Sequence, residues 1–254
     1  MSLIRSALPV AKSHAAMRST LIVLFAFLHQ AKPSSILTAI GSLPNIQLFK
    51  HNQRTIDDTI SKKDLLPINH EYPGASCAIG PRPIPPSYRI LIESIVVGHG
   101  LKDFKRASEL MFSFDAVDSL PWANIVTSAG VKKRDLRVGT GLCTLIKCYK
   151  LVWTLNPCRI SHMSRGSSIK RELNGSKLVD QIAYSTVEGH LISGEERFRV
   201  TLASNDDVVF DIYSFTKGAG AIGTLAMPFI RPIQSSFFKE VTLSMKKLMA
   251  RNSN

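Results

Sequence analysis

Residues 184–200 read YSTVEGHLISGEERFRV, and they place one imidazole and two adjacent carboxylates beside Gly189 and Gly194. A histidine and a carboxylate held together can move a proton or hold the polar end of a ligand. Parity decides which carboxylate is available. In 195–203, Phe198, Val200 and Leu202 share one face of a strand, while Arg197, Arg199 and Thr201 share the other. Period two then puts Glu196 on the apolar, inward face and Glu195 on the basic, outward face. An inward carboxylate needs a partner, and His190 across the turn is the expected one. The alternative is that Glu196 accepts backbone N–H groups and only holds the bend. Gly189 and Gly194 fit either case, because both free the backbone at the turn.

Other motifs fail on context. GAGAIG (218–223) matches the spacing of a dinucleotide-binding turn, but no βαβ unit precedes it and Pro228 follows closely. The expectation is a loop between the last strand and the last helix, able to cover a cavity. KKRDLR (132–137) is a basic run without aromatic interleaving or a reading helix, so it reads as a solvated hairpin tip and no nucleic acid is expected. HEYPG (70–74) lacks the second histidine of a zinc helix. The seven histidines have no ligand spacing, so neither metal nor cofactor is expected. Cys77, Cys143, Cys148 and Cys158 form no C-x-x-C pair, and Cys143 and Cys148 fall on opposite faces of one strand. They read as small buried apolar residues.

The elements that position these residues follow from period changes. Strands are expected at 88–100, 123–128, 138–149, 151–163, 178–188, 195–203 and 207–216. SNDD (204–207) turns the last two into a hairpin. Leu101, Phe104, Ala107, Leu110, Met111 and Phe114 mark one helix face, with a break or short second helix over 115–122. Ile233, Phe237, Val241, Met245 and Met249 mark a last helix over 231–250, with Pro232 in its first turn. The four prolines of 80–87 exclude a helix or central strand there, and 164–177 reads as a polar loop.

The chain has 254 residues and a net charge of +13. Residues 1–56 contain no Asp or Glu and carry Arg5, Lys12, Arg18, Lys32, Lys50 and Arg54. This is the composition of an organelle (mitochondrial or plastid) transit peptide, and the apolar run 21–28 also admits a secretory or bipartite leader. The run is too short to span a bilayer. The organisation expected is a targeting or disordered segment over 1–56, a polar linker over 57–71 and one domain over 72–254.

A strand, a helix, six strands and a long helix specify an α+β fold: a curved antiparallel sheet of about seven strands wrapped around the C-terminal helix. By topology this matches the helix-grip arrangement of START and Bet v 1-like proteins. A sheet so curved leaves room between itself and the helix. The stretches YPGAS (72–76), VGHGLKDFKRASELM (97–111), NPCRI (156–160), YSTVEGHLISGEERFRV (184–200), IYSF (212–215) and MPFIRPIQ (227–234) occur in this order. Together they resemble the domain-of-unknown-function family nineteen-ninety, the UPF-type uncharacterised proteins of plants and bacteria, over roughly 72–250. Phe114 stands where that family is expected to carry tryptophan. The resemblance implies weight on Tyr184, Gly189, His190, Gly194, Glu195, Glu196 and Phe198, and no activity.

Function therefore reads first as non-catalytic binding of a hydrophobic or lipid-like small molecule. Phe198, Tyr213, Phe215 and Phe237 would contact it, with Tyr184, His190, Glu195 and Glu196 at its polar end. The alternatives are a cyclase- or hydratase-type enzyme using Glu196 and His190, and a domain whose basic surface docks on a membrane or partner.

Overall fold

A computed structural model describes residues 46–47, 50–63, 66–77, 84–150, 152–167 and 178–251. The chain divides into Met1–Leu43 and Pro44–Asn254. The first unit lies outside the described residues, as does 168–177 of the expected polar loop; of the targeting or disordered segment expected over 1–56, residues 46–47 and 50–56 are described, with 46–47 in a strand and 53–56 in a helix.

The described elements are β1 (Ile46–Gln47), α1 (Gln53–Lys63), β2 (Arg89–His99), α2 (Gly100–Phe112), α3 (Asp115–Asp118), β3 (Ala123–Val126), β4 (Gly141–Cys148), β5 (Val152–Ser167), β6 (Leu178–Thr186), β7 (Ile192–Leu202), β8 (Asp207–Gly218) and α4 (Gly220–Ala250). The sheet runs β2-β8-β7-β6-β5-β4-β3, with β1 added on β5, and every pairing is antiparallel. α2, α3 and α4 cover its concave face, where Phe104, Met111, Phe198, Phe210, Phe238 and Met245 meet in the main core. This is the helix-grip arrangement. Each fully buried side chain of this size contributes about 1.5–3 kcal/mol. Arg106 donates to the carbonyls of Leu248 and Met249, at 2.6 and 2.8 Å, and so satisfies the last turn of α4. Among the described residues no helix is long and apolar enough to cross a membrane.

Two departures from expectation have clear causes. The polar composition of 57–70 predicts a linker, yet 53–63 is helical. Ile56 and Ile60 lie on one face of α1 and pack on Leu145, Trp153 and Leu155 of the convex side of the sheet. Two well-placed isoleucines suffice to seat a helix that is otherwise polar. The last helix starts at Gly220, not near 231. Pro228 and Pro232 each lack the N–H that would reach Thr224 and Pro228, and all three residues are solvent-exposed. The freed carbonyls belong to exposed residues, where desolvation costs nothing, and the helix passes through both prolines. GAGAIG is thus no loop. A Cβ on Gly218 would sit 2.3 Å from the Thr224 nitrogen, and one on Gly223 would sit 2.2 Å from the Leu191 carbonyl oxygen. These glycines let the first turn of α4 press on the ends of β7 and β8.

Candidate functional site

Between the concave face and the N-terminal half of α4 lies a cavity of about 180 Å³. Its walls follow from strand parity. The even-numbered residues of β4 and β5 point inward and supply Thr144, Ile146, Thr154, Asn156 and Cys158. Ile230, Ile233, Gln234 and Phe237 descend from α4 at helical spacing. The β4–β5 turn is tied to the helix by Tyr149, whose Oη donates to the Phe229 carbonyl at 2.8 Å.

The polar end of the cavity is Glu196. It lies on the inward face, in register with Tyr184 on β6. Tyr184 Oη donates to Glu196 Oε1 at 2.5 Å. No other hydrogen bond to its carboxylate occurs among the described residues, and the residue keeps part of its surface accessible while lining the cavity. Burial pushes its carboxyl up to about 7, against a smaller lowering by the tyrosine hydroxyl. Burial and the nearby Glu196 push the Tyr184 hydroxyl well above its ordinary value.

His190 lines the same cavity and is buried. Its Nδ1 accepts the Ile192 N–H at 2.9 Å, which assigns the remaining proton to Nε2. Burial lowers its pKa to about 4, so the ring is neutral at physiological pH. The expected Glu196–His190 pair does not form: the partner of Glu196 is Tyr184, and His190 closes its own turn.

Glu195 has the reverse fate of an outward residue. Its backbone borders the cavity, but its carboxylate lies on the convex face beneath the segment 66–77 and is 1% exposed. Gly74 N and Ser76 N donate to it at 2.5 and 2.9 Å; the hydroxyls of Ser76, Ser161 and Ser185 donate at 2.6, 2.6 and 2.9 Å. Arg197 donates to the Ser76 carbonyl at 2.8 Å and pairs with Asp211, while Arg199 donates through two nitrogens to Gln181. The face that reads as basic and outward is a buried polar lock on this segment.

Of the four aromatic contacts expected, one holds its place: Phe237 lines the cavity. Phe198 faces inward but packs in the core against Phe114, Tyr184 and Phe210. Tyr213 and Phe215 are corrected to the convex side, because odd positions of β8 alternate away from Phe210 and Ile212. There Phe215 meets His70, Tyr72 and Tyr88, and Arg197 lies over Tyr213. Alternation along β4 and β5 carries the signal for the missed wall residues, as does the i, i+3, i+4, i+7 series from Ile230.

The family model described as "Domain of unknown function (DUF1990)" matches residues 71–243. The chain belongs to the DUF1990 family. A UPF0548 protein of Arabidopsis thaliana is 23% identical over 143 residues, which is 56% of this chain and 64% of that protein. The match thus spans less than two thirds of the length of that relative. Among solved structures, a hypothetical protein from Helicobacter pylori aligns with TM-score 0.44 and 11% identity, over 63% of this chain and 88% of its own. The Zhui aromatase/cyclase from Streptomyces sp. R1128 aligns with TM-score 0.43 and 11% identity, over 66% and 96%. At these levels the fold of this DUF1990 domain rests on its own strand order and helix.

Proposed function

We propose that the domain binds a small, largely apolar molecule with one hydrogen-bonding group, seated between β4–β7 and α4 with that group at Glu196 and Tyr184. The observation that carries this is the cavity of about 180 Å³ whose carboxylate is engaged, among the described residues, by a single protein donor. Ile146, Ile230, Ile233 and Phe237 supply the apolar wall. A cavity of roughly 150 Å³ holds one benzene, so the space suits one ring or a short branched chain. A long isoprenoid or acyl chain would not be enclosed.

Calorimetric titration with phenol and with benzene tests this reading. Phenol is expected to bind about tenfold more tightly, one good hydrogen bond. In Y184F/E196L, which removes both partners together, benzene binding persists and the preference for phenol disappears. Failure of the native protein to bind either probe overturns the proposal.

A second reading is favoured by the place of Glu196 in the cavity wall, in contact with Tyr184. Burial there raises its carboxyl to about 7, which suits it to give and take protons near neutrality. Glu196 would then act as acid or base on the bound molecule, with Tyr184 in the partner role that the sequence assigns to His190. Exchange of the α-protons of cyclohexanone in deuterium oxide, followed by NMR, checks it. A rate no higher than that of E196Q removes the enzymatic reading and leaves the binding one standing.

A further inference from the structure

β2 ends the sheet: it pairs with β8 on one side, and among the described residues nothing pairs with its other edge. Ile90, Ile92 and Val96 stand out from its outer face, 49%, 56% and 49% exposed. Arg89 and Glu93 lie on the opposite face, two positions either side of Leu91, and form no ion pair among the described residues. An open edge with an apolar face is a template for another strand.

We propose that β2 pairs antiparallel with β2 of a second copy, across a two-fold axis at Leu91. Residues directly opposite in an antiparallel pair share a face, so this register is fully specified. Leu91 meets Leu91, Ile90 meets Ile92, and Arg89 meets Glu93, the last two pairs each occurring twice by symmetry. The alternatives are poorer. An axis at Ile92 sets Arg89 against Ile95 and Glu93 against Leu91. An axis at Glu93 sets two carboxylates face to face. The Leu91 axis alone among these joins opposite charges on one face and isoleucines on the other. Pro86, which has no N–H, bounds the ladder before Tyr88, and the irregularity between Val96 and Gly98 bounds it at the far end. The cavity is walled by β4–β7, Thr216 of β8 and α4 and takes no residue from β2, so pairing and ligand binding use different residues.

Sedimentation of the full-length protein over a concentration series tests the pairing. The native chain is expected to dimerise. R89E and E93R each place like charges opposite each other twice, and each should weaken the dimer about tenfold or more. The double variant R89E/E93R restores both pairs in reversed sense and should recover native affinity to within about threefold. A native protein that stays monomeric throughout, or a dimer indifferent to all three variants, overturns the proposal.

Discussion

Glu196 and Glu195 are chemically identical neighbours with opposite surroundings, and the surroundings decide what each does. Glu196 is desolvated with one donor, so its protonated form is favoured in the fold. Its stabilising contribution is complete below the ordinary value of 4.5 and is lost as pH rises through about 7. His190 runs the other way: its contribution is complete above 6.5 and is lost as pH falls through about 4. The two oppose each other between those ordinary values. In E196Q only the histidine slope remains, so the variant should gain on the native protein from pH 5 to pH 8, by up to roughly 3 kcal/mol, measured by urea unfolding at both pH values. Glu195 has five donors and no room for an N–H. E195Q turns one oxygen into a donor facing donors, and should cost about 3 kcal/mol. Amide hydrogen exchange should show protection lost over 66–77, the segment that Glu195 holds.

Elements here are fitted by close backbone approach as much as by side-chain packing. At Gly194 a Cβ would sit 2.0 Å from the Phe215 carbonyl oxygen across the β7–β8 ladder. G194A should therefore destabilise the domain by upward of about 2 kcal/mol, read from the thermal midpoint. Gly218 and Gly223 do the same for the start of α4. Strand positions and the last hairpin are legible, because alternation and turn residues are local signals. The start of α4 was not. Proline is read locally as a break, whereas its effect depends on whether the orphaned carbonyl faces solvent or core.

At the scale of the domain, the sheet is a partition with a cavity on one face and a covering of α1 and residues 66–77 on the other. The two faces should respond independently. I60A removes a buried contact of α1 and should cost about 2–4 kcal/mol in urea unfolding, while phenol affinity stays within about twofold. The amino-acid sequence by itself determined the α+β class, the positions of seven strands, the closing helix and the inward face of Glu196. Each of these follows from periodicity over neighbouring residues. Tertiary structure alone decided that Tyr184 and not His190 meets Glu196, that Glu195 is caged by a segment some 120 residues away, and that Tyr213 and Phe215 serve the convex side. Period two tells which side chains share a face of a strand. Which face lies under a helix, which under a strap and which borders empty space is set by long-range packing, and no local pattern encodes it.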